Sequence, residues 1–407
     1  MTLDIEAIRA KFPILSQKGP QGQPLIYLDN AATTQKPQEV IDAITHYYAG
    51  YNANVGRGAY WPATQATTAF NAVRKQVQGF INATSTKEVI YTAGTTDAIN
   101  KLCRSFLEPQ LSAGDEVIVT EMEHHGNFVP WQQACQAKGA TLKVVPLTDS
   151  GEMDMEAFKT MLSAKVKLVA VTAVSNALGT RNDLEQIVSL SHEQGAVVLI
   201  DAAQQVLHES IDVQALDCDF LTFSAHKLFG PTGIGILYGK EKLLESIPPF
   251  SYGGGMVKSV TKTATQFADL PNKHEAGTAH IAGVMGMGAA ISFVQELGID
   301  TIHEHTRKLT LYAIYKLRAV EGLTLYGTPE NGASLISFNV EGVHPHDVAS
   351  FLSEKGIGIR AGHHCTHPLM QYLQVHGTCR VSFGIYNQQE EVDLLVETLV
   401  EVRDFFR

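Results

Sequence analysis

Between about residues 85 and 240, short unbroken apolar runs alternate with amphipathic stretches, and this pattern constrains the fold more than any other feature of the chain. The runs Glu88–Thr92, Glu116–Thr120, Leu142–Pro146, Lys167–Val174, Val197–Ile200, Phe220–Phe223 and Ile234–Tyr238 read as strands. Thr96–Phe106 and Asp183–Gln194 read as helices between them. Val/Ile/Leu runs without polar alternation belong to strands covered on both faces, which means a mostly parallel sheet between helices. In such sheets ligands collect beyond the carboxyl ends of the strands. The polar clusters GTTDAIN, EHHGN, SNALGT, DAAQ and SAHK fall there, one strand end after another.

The pattern changes past residue 290. A helix-like run, Thr301–Val320, precedes the strand-like LTLYG, ASLISFNV and IGIRAG, with helices expected over His346–Lys355 and Gln389–Phe406. This is an α+β arrangement. The division expected is an N-terminal segment over 1–25 packing with the small domain, a large domain over 26–290, and a smaller C-terminal domain over 291–407. Gly253–Gly255, flanked by Pro248 and Pro249, reads as a flexible loop.

Composition removes several function classes. Lys plus Arg total 31 against 42 Asp plus Glu, a net charge of −11, and the basic residues are not clustered. That balance argues against nucleic-acid or anionic-membrane partners, though not against a small anionic ligand. The apolar stretch near Leu168–Val174 is far short of the ~18–20 residues that span a bilayer. The N-terminus lacks an apolar signal region. Cys103, Cys135, Cys218, Cys365 and Cys379 form no CxxC pair, the pattern of free thiols in a reducing compartment. A soluble, cytoplasmic protein is expected.

Lys227 follows the run DFLTFSAHK and precedes a Gly/Pro-rich turn. A lysine at a strand end near helix termini is placed for Schiff-base chemistry, which needs a partly desolvated amine. Asp201 closes VVLID, and a carboxylate there costs desolvation unless a cation partners it. A pyridinium nitrogen is such a partner, and its protonated ring is an electron sink. A structural aspartate capping the next turn is the plainer account. Together Asp201 and Lys227 point to pyridoxal 5'-phosphate (PLP). Gly94, Thr95 and Thr96 open a helix after a strand and offer amides and hydroxyls to a dianion. Ser224 and His226 are further donors. His124 is placed to cover an aromatic ring or relay a proton.

Cys365 lies in RAGHHCTHP, among three histidines that favour a thiolate. Alternatively, His363, Cys365 and His367 are metal ligands, although no complementary ligand cluster occurs elsewhere. Arg360 and Arg380 bracket this segment, and either can hold a carboxylate bidentately.

The chain resembles the fold-type I, class V aminotransferase-like PLP enzymes, and within them the group II cysteine desulfurases of the SUF iron–sulfur assembly system. The similarity runs from YLDNAATTQKP to RVSFGIYN, through GTTDAIN, EHHGNFVPWQ, SNALGT, DAAQ, ALDCDF, SAHKLFGPTGIGILYG, EAGT and RAGHHC. It implies a fold-type I PLP-dependent transferase: a large domain with a mostly parallel seven-stranded sheet plus a smaller α+β C-terminal domain. Lys227 would hold PLP by a Schiff base, with Asp201 on the ring nitrogen, Gln204 on the phenolic oxygen and His124 stacked on the ring. Thr96, Ser224 and His226 would hold the phosphate, joined by Thr278 from the second subunit of a homodimer. Arg380, Asn176 and Arg360 would hold the substrate carboxylate. Cys365 would take sulfur from L-cysteine as a persulfide, releasing L-alanine, and pass it to a sulfur-acceptor protein of the SUF system. L-selenocysteine would also be cleaved, and no metal is implied.

The sequence departs from the family pattern at Gly56, where a histidine is usual, at Asp97 for Glu, and at Ala202 and Ala225 for glycines. Thr366 and His367 also depart, directly after the nucleophile. Other readings are a selenocysteine lyase as main role, an aminotransferase or epimerase without persulfide chemistry, and an inactive sulfur-carrier scaffold.

Overall fold

The computed structural model describes residues 3–19, 22–328, 330 and 332–407. Of the expected N-terminal segment, residues 1, 2, 20 and 21 therefore lie outside the described residues. Seven strands form the main sheet: β1 (Val89–Thr92), β2 (Glu116–Thr120), β3 (Thr141–Val145), β4 (Val166–Thr172), β5 (Val197–Asp201), β6 (Phe220–Ser224) and β7 (Gly235–Gly239). Their spatial order is β1-β7-β6-β5-β4-β2-β3. Strands β2 to β6 pair in parallel. β7 is wedged antiparallel between β1 and β6. β1 consequently runs with the parallel set, and its carboxyl end shares their edge. Every residue of β1, β6 and β7 is buried, which is why these segments read as unbroken apolar runs.

The wedge requires glycine. A Cβ on Gly235 would lie 2.6 Å from the Gly94 Cα and 2.7 Å from the Phe223 carbonyl oxygen. Only a residue without a side chain lets β7 approach the turn that follows β1.

A second sheet is antiparallel throughout: β8 (Leu323–Tyr326), β9 (Leu335–Val340), β10 (Arg360–Gly362) and β11 (Thr378–Ser382), in the order β8-β9-β11-β10. Its core contains Phe338, Val381, Leu395 and Leu399. Helix Gln389–Phe406 covers it with the apolar stripe that its sequence announces.

The structure draws different lines from the expected segments. Ile26–Tyr27 pairs in parallel with Ile357–Gly358, and Ile26 and Leu28 join the core beneath the second sheet. Residue 290 falls inside a continuous helix, Ile281–Leu297, which is buried nearly all round and so shows no amphipathic period. The N-terminal segment touches both bodies. Arg9 pairs with Glu391 at 2.9 Å, while Phe12 packs edge-on against Phe229, Phe293 and Tyr386. The Gly253–Gly255 loop leads into a hairpin, Val257–Val260 with Thr265–Phe267, which was not foreseen.

Candidate active site

At the carboxyl edge of the main sheet lies a cavity of about 190 Å³. Thr95, Thr96, His124, Asn176, Asp201, Gln204, Ser224, His226 and Lys227 line it at the edge of the main sheet, with Arg360 and Arg380 of the second sheet and Cys365 in the turn after β10 closing it. The expected site residues thus meet in one place, except Thr278. That residue lines a separate groove of about 950 Å³ with Arg57, Tyr60 and His280.

One end of the cavity is an anion cradle. Gly94 has φ 147°, and a Cβ there would sit 3.2 Å from Ser224 Oγ. The following helix, Thr95–Leu102, opens with the Thr95 amide donating to Ser224 Oγ at 2.9 Å, while the two hydroxyls stand 3.0 Å apart. Free amides and the helix dipole favour negative charge at this point. His226 Nδ1 is buried with no hydrogen-bond partner among the described residues. Burial, Lys227 and Lys36 lower this imidazole to about 4, so it is neutral near pH 7.

At the centre, Asp201 is 4% exposed. Its Oδ1 accepts from the Ala203 amide at 2.9 Å, and among the described residues it forms no ion pair. Burial raises its pKa, opposed by the Ala203 amide and by Lys227. The Lys227 amine is lowered to about 8, mainly by burial and against the pull of Asp201. His124 Nδ1 accepts from the Gly126 amide at 3.0 Å, which leaves the ring proton on Nε2. Burial and then Lys227 take this histidine down to about 4. Gln204 Nε2 donates to the Ala31 carbonyl at 2.8 Å.

The thiol stands at the mouth. Cys365 is exposed, whereas the other four cysteines are buried. His364 and Cys365 have φ 51° and 58°, two successive left-handed residues that cost strain unless held. Three anchors hold them. The Asn176 amide donates to the His364 carbonyl at 2.8 Å, the His125 N–H donates to the Cys365 carbonyl at 2.8 Å, and Thr366 Oγ1 donates to the His363 carbonyl at 2.9 Å. His364 is itself a structural residue, buried with Nε2 2.8 Å from Thr378 Oγ1. The His363, His367 and His125 rings stack at 4.2 and 4.9 Å. The ligand-set alternative gains no support, because among the described residues no group of three His, Cys, Asp or Glu is arranged to hold a metal ion.

Arg380 is 2% exposed; Nη1 donates to the Asn176 carbonyl at 2.6 Å and Nη2 to Asp29 at 3.1 Å. Its Nε has no partner among the described residues. Arg360 lies opposite it across the β10–β11 pair and 3.6 Å from the same aspartate. Two guanidinium groups share one carboxylate, leaving charge for a second. Asp29 was missed as a site residue, although it stands in the quoted YLDNAATT; its role depends on a partner about 350 positions away. Glu123 was missed too. It is fully buried and accepts from Thr120, Asn127 and the Thr172 amide, fixing the segment that carries His124.

These features fit PLP. The cradle matches a phosphate, the unpaired buried carboxylate matches a ring nitrogen that must stay protonated, and the depressed amine matches Schiff-base formation.

Residues 26–395 match the aminotransferase class-V family. A cysteine desulfurase of Yersinia pestis is 49% identical over 403 residues, covering 99% of both chains. A crystal structure of the cysteine desulfurase CsdA from Escherichia coli superposes with TM-score 0.92 at 36% identity, covering 100% of both chains. The cysteine desulfurase of Thermococcus onnurineus gives TM-score 0.94 at 34% identity, covering 100% of this chain and 99% of that one.

Proposed function

We propose that this chain, which belongs to the class-V aminotransferase family and, within it, to the PLP-dependent cysteine desulfurases, moves sulfur from L-cysteine onto Cys365. One observation carries the reading: a single exposed thiol stands on the wall of the cavity that also holds Lys227, Asp201 and the arginine pair.

Lys227, Asp201, His124, Gln204, Thr95, Thr96, Ser224 and His226 would hold the cofactor. When bound, PLP supplies a protonated ring that stabilises negative charge at the substrate's α-carbon. Arg380 and Arg360 take the substrate carboxylate, and Asn176 fixes Arg380 through its carbonyl. Lys227, held near 8, accepts and returns a proton at neutral pH. The Cys365 thiolate attacks the substrate sulfur: an S–S bond forms, the Cβ–S bond breaks, and the β-carbon gains a proton. Thiol plus cysteine become persulfide plus alanine, so no external oxidant is needed. The thiol's exposed side is where a sulfur-acceptor protein collects the persulfide, for which we propose the SUF iron–sulfur assembly system in the cytoplasm. L-selenocysteine fits the same arginine pair, and its weaker C–Se bond makes it a second substrate.

A homodimer is part of the proposal. The groove holding Thr278 lies beside exposed Tyr60 and Trp61, and a second copy there would carry Thr278 to its partner's phosphate cradle.

Mass mapping after cysteine addition tests the central step. A mass gain of one sulfur on Cys365, absent in Cys365→Ala, is expected, with alanine release from cysteine falling roughly 100-fold or more. Full sulfide release by Cys365→Ser in the presence of a thiol reductant would overturn it and favour an aminotransferase or epimerase. Relative kcat/KM for the two substrates, with acceptor present, decides which is the main role. Preparations that cannot be reconstituted with PLP would favour the scaffold.

A further inference from the structure

Lys36 lies behind the cradle, and nothing in the proposed chemistry uses it. Its amine donates to the Thr34 carbonyl, to Thr33 Oγ1 at 3.4 Å and to the His226 carbonyl at 3.0 Å. Three N–H groups therefore meet three neutral acceptors, and among the described residues no carboxylate pairs with them. Burial alone lowers the amine to about 7. A largely buried cation without a counter-charge is costly, so this amine is poised to lose its proton near neutral pH and to keep it when an anion is bound close by.

The His226 carbonyl is the point of contact. It also accepts from the Thr34 amide at 3.0 Å, from Thr33 Oγ1 at 3.0 Å and from Thr34 Oγ1 at 3.2 Å. Four donors therefore converge on one oxygen, in the peptide that joins His226 to Lys227. The titratable side chain coupled to it is that of His226, neutral near pH 7, and among the described residues no carboxylate is paired with the amine to cancel its field. On the far side of that peptide, Thr95, Ser224 and the His226 ring line the cavity.

We propose that Lys36 is a positioning residue: its ammonium, working through the His226 carbonyl, is the counter-charge for the cofactor's phosphate and fixes the peptide that presents Lys227. This rests on the reading of Thr95, Ser224 and His226 as the phosphate cradle. In a poorly screened interior the field of a charge reaches across one peptide unit. Lys36 thus favours a phosphorylated ligand over the same ring without phosphate.

The test strips the full-length protein of cofactor and titrates it with PLP or with pyridoxal, following the Schiff-base absorbance. Lys36→Gln should bind PLP at least ~10-fold more weakly while pyridoxal affinity is unchanged, and Lys36→Arg should recover most of the loss. Buffers of different ionisation enthalpy should show wild type taking up more protons with PLP than Lys36→Gln does near neutral pH. Equal weakening towards both ligands would mean a merely structural lysine and overturn the proposal, as would no weakening at all. Lys36→Met gives the same comparison if the glutamine variant does not fold. Ser224→Ala separates the two readings. Lost phosphate preference there, with preference intact in Lys36→Gln, sinks the role of Lys36 alone; intact preference in both sinks the cradle.

Discussion

Arg380 gives the sharpest expectation for a single side chain. Its guanidinium is fixed by Asn176 and Asp29 before any substrate arrives. Hydrogen bonds to charged groups contribute ~1.5–3 kcal/mol, so Arg380→Lys should raise KM for cysteine roughly 10- to 100-fold, read from initial rates of alanine release. Lys227 sets a pH dependence. Schiff-base formation needs the neutral amine, and burial brings this lysine from 10.5 to about 8. The neutral fraction grows as pH rises through 8, so PLP uptake by the stripped protein should quicken across that range and level off above it. A rate still climbing towards pH 10.5 would contradict the depressed amine. Asp201 and Lys227 were legible because one closes an apolar strand and the other lies in the turn directly after one, where a charge is unexpected. Asp29 was not, because its significance comes from two arginines far along the chain.

Elements were legible where burial imposes one pattern. Strands β1 to β7 could be placed to within a residue or two because all but the edge strand β3 are covered on both faces. The helix Ile281–Leu297 was hidden by the same condition: buried nearly all round, it has no polar face to reveal a period. The order of the strands was not legible, because the antiparallel entry of β7 depends on the contact between Gly235 and Gly94, well over a hundred positions earlier. Gly235→Ala should therefore destabilise by about 1–3 kcal/mol, measured by denaturant unfolding, and should also weaken PLP retention by pushing Gly94 away from Ser224. Unchanged stability would mean that the sheet accommodates a methyl group at its tightest crossing.

At the scale of the whole molecule, the groove around Thr278 is braced by a buried pair. Arg74 meets both oxygens of Glu275 at 2.7 and 2.8 Å, and Glu275 also accepts from the Tyr91 amide at 2.7 Å. Breaking such a pair from one side leaves an uncompensated buried charge and costs roughly 3–5 kcal/mol. Glu275→Gln should lower the thermal midpoint accordingly. If the groove receives a second copy, sedimentation of the wild type should give a particle of twice the chain mass. The wedge position of β7 also bears on how the protein is made. Gly94 and Ser224 come together only through a strand that ends at Gly239, so a ribosome must pass that point before the emerging polypeptide offers the vitamin-derived ligand any grip. Capture then waits for the second sheet as well, since Arg380 is synthesised only after Gly239 and after β8, β9 and β10, and a product cut short before it would leave the translation machinery empty-handed.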